Sequence, residues 1–473
     1  MIVHKFGGTS IGDAQRFASV AEIILSHHDA ADCSDQAQTV VVVSAMSGVT
    51  NQLVAAARAA ADGRDSVYRE IKASLLTRHL DVVEKLLTSS RERLDVGGLV
   101  EDKLYELERF CRSIAMLGEL TPRGSDAVTS FGEQLSSSIL AAVLRRHGVR
   151  AQAASATGLI VTDDGFGTAT PLLEATRQKL REKILPLLER GVIPVITGFV
   201  AATETGVTTT LGRGGSDFSA AIIGAGLDAD EVWIWSDVDG ILTADPNLVP
   251  EARTLTELSY AEASDLAYYG ADVLHPKTIR PVVERGIPLR IVNSFNPGHP
   301  GTLVVESPSA ERQLLPSIIS TTGLSLIAIG SADDSWALPM AARVLQKLSE
   351  AGVDVLMFSQ SFSEHSLNLI VRVEDQAHCL RTLSREFQDD RPGSRSHLGL
   401  KEQVATVSLV GVPDWNGVSV LSHAFSALGK LGTRVIAAAQ AATEYNVSFC
   451  IPEDQVAGTV RSLHRELGLE ATS

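Results

Sequence analysis

The chain has 473 residues, 44% of them hydrophobic, which is enough for two to four domains that each bury a core. Its 41 Lys and Arg stand against 57 Asp and Glu, a formal net charge of −16, which argues against the basic surface that nucleic acid or an anionic membrane demands. The cysteines Cys33, Cys111, Cys379 and Cys450 are far apart and form no CxxC, so a reducing compartment is expected and a zinc site is not. Met1 leads directly into MIVHKFGG with no signal-peptide pattern, and no apolar run approaches the length of a membrane span. The expectation is a cytoplasmic protein without a membrane partner.

Residues 1–305 alternate short apolar runs with amphipathic stretches, the pattern of an α/β domain with a mainly parallel sheet. Ile2–Phe6 reads as a strand, Gly7-Gly8-Thr9-Ser10 as a turn, and about Asp13 to His28 as a helix. Thr39–Val43 is a β-branched strand that ends at Ser44-Ala45. Residues 53–125 carry helical periods and charges with almost no strand signal, which predicts a helical insertion or subdomain. Val192–Phe199 and Glu231–Trp235 read as further strands, and residues 306–323 as a Ser/Pro-rich linker running into the first strand of the next domain.

An internal repeat follows. Gly352-Val353-Asp354-Val355 through Gln360 and Glu364 matches Gly432-Thr433-Arg434-Val435 through Gln440 and Glu444, at an offset of 432 − 352 = 80. Each copy reads strand, helix, strand, strand, helix, which predicts domains over 324–392 and 393–473. Units of that size bury little alone, so paired packing is expected.

Two glycine-rich turns carry most of the chemistry. Lys5-Phe6-Gly7-Gly8-Thr9-Ser10 lies between a strand and a helix, where glycines admit a close ligand and the helix N-terminus offers N–H groups to an anion. On spacing alone a plain strand–turn–helix with a surface lysine fits equally well. The run Thr208-Thr209-Thr210-Leu211-Gly212-Arg213-Gly214-Gly215-Ser216-Asp217 leads into a helix expected over Phe218–Gly226. Arg213 offers a planar fork for a carboxylate or phosphate, while Asp217 also suits the first turn of a helix. Neither turn has P-loop or GxGxxG spacing. In Ser130-Phe131-Gly132-Glu133 the pattern favours a capping box over a carboxylate aimed at an ammonium group. The segment from Ser236 to Pro246 follows a strand end, where open parallel sheets bind ligands, although a turn-rich connection reads the same way.

Taken together, KFGGTS (Lys5–Ser10), SFGE (Ser130–Glu133), TTTLGRGGSD (Thr208–Asp217), Ser236–Pro246 and VLHPKT (Val273–Thr278) resemble, in order, the motifs of aspartate kinases. The repeat resembles that family's tandem ACT regulatory domains. The resemblance implies an amino-acid kinase αβα sandwich with a mainly parallel sheet over 1–305, followed by two ACT (βαββαβ) domains. It also implies phosphoryl transfer from Mg-ATP to the side-chain carboxylate of L-aspartate, the first step toward lysine, threonine and methionine. Mg2+ would be held mainly by the phosphates, with no protein metal site and no prosthetic group.

Carried over, Lys5 lies against the transferred phosphoryl group, Gly7, Gly8, Thr9 and Ser10 supply donors, and Asp217 orients Lys5. Arg213, with Gly214, Gly215 and Ser216, holds the α-carboxylate of aspartate. Glu133 holds its ammonium group, and Ser44 and Thr50 line the pocket. Ser236, Asp237, Leu242, Asn247, Asp272 and Val273 fall on the nucleotide side. Three of these depart from the family pattern: Leu242 replaces a usual tyrosine, Asn247 a usual arginine and Asp272 a frequent lysine. The lost positive charge predicts an active kinase with a raised KM for ATP.

Gln360 and Gln440, with Ser363–Ser366 and Thr443–Asn446 beside them, resemble the threonine-sensing region of bifunctional aspartate kinase–homoserine dehydrogenases. Threonine is therefore the expected effector and lysine the alternative, acting on a homodimer or homotetramer joined through the ACT domains. No dehydrogenase fingerprint follows Glu470 before Ser473, so the expectation is a monofunctional enzyme or a truncated chain. The competing reading is a non-catalytic amino-acid sensor that keeps only its ACT pair.

Overall fold

The structure is a computed structural model. It describes the chain except for residues 30–37, 269–275, 310–311, 313–314, 332–337, 362–365, 388–395, 412–413, 416–417, 441–445 and 471–473. The chain folds into two compact units, the first made of Met1–Ile241, Thr254–Ala267 and Asp272–Arg312 and the second of the remainder.

The first unit begins with β1 (Ile2–Phe6), α1 (Ala14–Asp29) and β2 (Thr39–Val43), followed by the helices α2 (Val49–Ala61), α3 (Asp65–Leu86), α4 (Ser90–Leu117), α5 (Pro122–Thr129) and α6 (Phe131–Arg146). Next come β3 (Ala151–Ala154), β4 (Val161–Thr162), α7 (Leu173–Lys183), α8 (Leu185–Glu189), β5 (Ile193–Thr197), β6 (Val200–Thr203), β7 (Thr208–Thr210), α9 (Gly215–Leu227) and β8 (Glu231–Ser236). It closes with β9 (Glu257–Ser259), α10 (Tyr260–Tyr268), α11 (Pro276–Val283), β10 (Leu289–Asn293) and β11 (Thr302–Val305).

Among the described residues, eight strands form one sheet in the order β3-β5-β2-β1-β8-β10-β11-β9. The β1–β2, β1–β8, β2–β5, β3–β5, β8–β10 and β9–β11 pairs are parallel, and only β10–β11 is antiparallel. Both neighbours of β1 run parallel to it, so its C-terminal end and theirs open on one edge, where such sheets bind ligands. β2 reads Thr-Val-Val-Val-Val and is buried throughout, as a strand covered on both faces must be.

The helical stretch predicted over 53–125 is observed as α2 to α5, which reach from Val49 to Thr129. It has no separate core. Leu53, Tyr68, Leu75, Val82, Leu104 and Leu107 pack in one continuous cluster with Phe6, Val41, Val43 and Trp235 of the sheet. Within the sheet, Phe6 and Trp235 stack at 5.6 Å, and His4 is fully buried with its Nδ1 accepting from Trp235 Nε1 at 3.1 Å.

The second unit contains β12 (Ser317–Ser331), α12 (Leu338–Glu350), β13 (Met357–Ser361), β14 (Ser366–Arg372), α13 (Val373–Phe387), β15 (Ser396–Val410), β16 (Asp414–Trp415) and β17 (Val418–Ser419). It ends with α14 (Val420–Leu431), β18 (Ala437–Gln440), β19 (Asn446–Pro452) and α15 (Val456–Glu466). The repeat's element order is as expected, but its strands are shared. β12 and β15 run antiparallel from Ser317↔Val410 to Ser331↔Ser396. β14 pairs with one half of β12 and β19 with the opposite half of β15. Irregularities between Thr321 and Leu326, with Gly323 at φ 69° and Gln403 at φ 58°, bend this ribbon where one repeat gives way to the other. The split at residues 392 and 393 thus becomes two repeats sharing long strands.

Residues 1–305 do not all fall in one compact unit. Leu242–Arg253 packs with the repeat: the Ile318 N–H donates to Thr243 O at 2.8 Å, and Thr243 Oγ1 lies 3.1 Å from His464 Nε2 of α15. Among the described residues, no helix is long and apolar enough to cross a membrane.

Candidate active site

At the end of β1, Lys5 points into a cavity of about 420 Å3. Its Nζ lies 2.5 Å from Asp217 Oδ1, with side-chain exposures of 10% and 16%. Asp217 reaches it from the first turn of α9, so the lysine has an opposite charge beside it. That helix starts at Gly215, earlier than the expected Phe218, because Gly212 (φ 78°) and Gly214 (φ 69°) take left-handed conformations that turn β7 into it.

The turn after β1 meets the turn after β2. A Cβ on Gly8 would stand 2.8 Å from the Ala45 carbonyl oxygen, so only glycine fits there. The Ser47 N–H donates to Gly8 O at 3.0 Å and the Ser44 N–H to Phe6 O at 3.1 Å, which brings Ser44 and Thr50 to the cavity wall. Of the five residues expected to contact phosphate (Lys5, Gly7, Gly8, Thr9 and Ser10), Lys5 and Gly8 line the cavity. The Gly7 and Ser10 N–H groups donate within the protein, to Trp235 O and Gly7 O, and Ser10 Oγ lies 2.8 Å from Ser294 Oγ.

Glu133 departs from the capping-box expectation. Ser130 is in the αR conformation and makes no side-chain cap; its Oγ donates to Ala127 O at 2.8 Å and accepts from Gln134 Nε2 at 3.1 Å. Glu133 instead turns into the cavity, 3% exposed, with Oε1 accepting the Ala45 N–H at 3.1 Å and Oε2 without a hydrogen-bond partner. Gly132 permits this approach, since a Cβ there would stand 2.5 Å from Ala45 Cβ. Burial pushes the Glu133 carboxyl up to about 8, and the Ala45 N–H offsets part of that rise. A buried acid with one open oxygen is well matched to an incoming ammonium group.

Arg213, Gly214, Gly215 and Ser216 complete the wall, and Arg213 is exposed at its rim. One cavity therefore holds a lysine–aspartate pair, a buried acid and a guanidinium, the complement of a small amino acid that carries a second negative group. Met46, Asn51 and Phe199 also line it, although no motif points to them. Phe199 adopts φ 64°, a conformation its residue type gives no reason to expect.

The expected nucleotide residues are not gathered in this cavity. Ser236 and Asp237 follow β8, where Ser236 Oγ donates to Asp237 Oδ1 at 3.2 Å. Leu242 and Asn247 belong to the second unit; Leu242 O accepts from Ser317 Oγ at 2.8 Å, and the Asn247 N–H donates to Asp245 Oδ1 at 2.9 Å. Asp272 and the first half of the VLHPKT motif, Val273, Leu274 and His275, lie outside the described residues, as do Glu364 and Glu444.

In the second unit, Gln360 is on β13 and Gln440 on β18, the two ends of the six-strand order β13-β14-β12-β15-β19-β18. Those end strands nevertheless approach each other, because the sheet folds around a small core of Leu324, Leu326, Met357, Ile370, Val404 and Cys450. A cavity of about 300 Å3 there is lined by Gln440, Arg372, Met357, Thr406 and Ser408, among others, whereas Gln360 is not part of its wall.

Comparison with known proteins agrees with this geometry. The amino acid kinase family model matches residues 1–293, and an ACT domain model matches residues 339–387 and 407–467. The chain is 33% identical over 471 residues to the chloroplastic aspartokinase 1 of Arabidopsis thaliana, covering 98% of this chain and 79% of that one. It superposes on E. coli aspartokinase III in complex with aspartate and ADP with a TM-score of 0.81 and 28% identity, covering 99% of this chain and all of that one. The same enzyme in complex with lysine and aspartate gives a TM-score of 0.79 at 28% identity, with 99% of both chains covered. The chain therefore belongs to the amino acid kinase family, among the aspartate kinases with ACT domains.

Proposed function

We propose that the chain transfers the terminal phosphoryl group of Mg-ATP to the β-carboxylate of L-aspartate, with each side chain of the 420 Å3 cavity in a defined role. The observation that carries this reading is the Lys5–Asp217 pair facing the same cavity as buried Glu133. Glu133 takes the substrate ammonium group and Arg213 its α-carboxylate, with Ser44 and Thr50 beside them. That leaves the β-carboxylate toward Lys5. The attacking carboxylate is ionised at neutral pH and needs no general base. Catalysis then rests on alignment and on charge: Lys5, held by Asp217, neutralises the oxygens of the phosphoryl group as it moves, and Gly8 lets the backbone approach it. Mg2+ travels with the phosphates, and Ser236 and Asp237 serve the nucleotide.

The test is turnover of L-aspartate and Mg-ATP with the acyl phosphate trapped as a hydroxamate. Turnover in the intact chain that Lys5→Ala abolishes is the expected result. A folded protein that binds amino acids but shows no turnover at saturating substrates would establish the non-catalytic sensor instead.

For regulation, the reading is feedback inhibition by threonine on a homo-oligomer joined through the ACT domains, at the entrance to lysine, threonine and methionine synthesis. Gln440 supports it, because it shares a cavity with Arg372 and a row of hydroxyls. Arg372 suits an α-carboxylate, and the hydroxyls and amide suit a hydroxylated side chain. The described lining residues include no carboxylate for the second ammonium of lysine. Lysine remains the second reading because the lysine complex of E. coli aspartokinase III is structurally similar. Inhibition by threonine alone, by lysine alone or by neither decides between them.

A further inference from the structure

The helices between β2 and β3 make two contacts that burial of the sheet does not require. We propose that Asp126 on α5 and Arg78 on α3 are positioning residues for aspartate, clamping opposite walls of the cavity so that the helical excursion sets its width.

Asp126 is 2% exposed, and both its oxygens are used. Oδ2 accepts the Gly167 N–H at 2.9 Å and the Thr210 N–H at 3.1 Å, while Oδ1 accepts Thr210 Oγ1 at 2.7 Å. Thr210 is the last residue of β7, three positions before Arg213. Gly167 belongs to the loop against which Gly212 packs, its carbonyl oxygen 3.2 Å from the place of a Gly212 Cβ. One carboxylate thus ties together the two segments that fix the backbone leading to Arg213. Buried acids are costly unless their oxygens are satisfied, and here all three donors come from that wall.

Arg78 acts on the opposite wall. Its Nη1 donates to Ser47 O at 2.7 Å and its Nη2 to Gly12 O at 2.9 Å. Ser47 lines the cavity and Gly12 lies in the turn that follows β1, so the guanidinium spans the same two turns that meet at Gly8. A planar fork holds two carbonyls at a set separation, which an ammonium point charge does not.

This inference rests on Arg213 as the holder of the aspartate α-carboxylate, and the experiment separates the two. Steady-state kinetics would compare Arg213→Ala, Asp126→Ala, Asp126→Asn and the double variant Asp126→Ala/Arg213→Ala. If Asp126 works through Arg213, Asp126→Ala raises the KM for aspartate about 10-fold, with kcat and the KM for ATP within about 3-fold of the parent, and adds nothing in the Arg213→Ala background. Asp126→Asn restores most of the affinity, because its amide oxygen accepts both N–H groups and its amide nitrogen donates to Thr210 Oγ1.

Arg213→Ala with an unchanged aspartate KM overturns the role of Arg213. An effective Arg213→Ala beside a silent or fully additive Asp126→Ala overturns the positioning role of Asp126. Should Asp126→Ala not fold, Thr210→Val removes one bond of the clamp and carries the same test with a smaller shift in the same direction. For Arg78, Arg78→Lys is expected to raise the aspartate KM severalfold, and an unchanged value removes Arg78 from the proposal.

Discussion

The two cavities differ in how their charges are held. In the first unit three ionic groups are held by short-range structure: Asp217 by the glycines before α9, Glu133 by the Ala45 N–H, Lys5 by Asp217. In the second unit the wall consists mostly of strand residues from a folded antiparallel sheet, with Arg372 as its one charged side chain among the described lining residues. A site that stabilises a transition state benefits from charges already in place, whereas a site that reports a metabolite need only change its affinity when strands shift. The comparison predicts large losses from substitutions in the first cavity and selective losses from the second.

The largest effect is expected at Lys5. Lys5→Met should lower kcat by about 10³-fold with little change in aspartate KM, because its charge acts on the moving phosphoryl group. A variant that keeps more than a tenth of the activity would break the contrast.

Glu133 comes next and has a pH signature. With its carboxyl raised to about 8 by burial, the free enzyme carries it neutral at lower pH, while an ammonium ligand favours the ionised form. Aspartate binding must therefore release a proton below about pH 8, and the KM for aspartate should fall as pH rises toward 8, by up to about 10-fold per unit. Glu133→Gln should raise KM by about 10-fold or more and flatten this profile. A parent profile that is flat between pH 6 and 8 would show that the ammonium group goes elsewhere.

In the second cavity, Gln440→Ala should weaken the amino-acid inhibitor about 5- to 10-fold while leaving uninhibited kcat unchanged, the value of one amide contact. Gln360→Ala should weaken it less, because Gln360 is not part of that wall. Equal effects would mean that both glutamines meet the effector where copies of the chain assemble.

A separate effect concerns stability rather than activity. The His4 imidazole is held down to about 3 by burial first and by His27 second, so an unfolded chain takes up a proton near 6.5 that the folded chain refuses. Stability present above about pH 6.5 should then be lost as pH falls toward 3, by about 1.4 kcal/mol per unit in this interval. His4→Gln should shallow that slope in denaturant titrations at pH 7, 6 and 5.

Much of the first cavity is legible in the sequence because its chemistry is local. A glycine turn after a strand, with a lysine at the strand end or an aspartate in the next helical turn, lies within a ten-residue window. Glu133 misleads for the same reason. The spacing of Ser130 and Glu133 fits a capping box, and only the backbone of Ala45, 88 residues away, turns the carboxylate inward. Arg78 and Asp126 carry no motif, since their partners, mostly main-chain groups, lie 31 to 84 residues distant. In the repeat, the equivalence of Gln360 and Gln440 is visible, but their places at opposite ends of the strand order are not.

By itself the sequence determined the parallel α/β unit, the repeat and the residue types at the ends of β1, β7 and α6, because hydrophobic period and turn chemistry act over a few residues. The tertiary structure alone decided that α2 to α5 share the core of the sheet, that Leu242–Arg253 belongs with the repeat, and that Glu133 is a raised, half-satisfied acid rather than a cap. Those properties depend on burial and on donors brought from far along the chain, and burial is a property of the packed molecule that no local pattern contains.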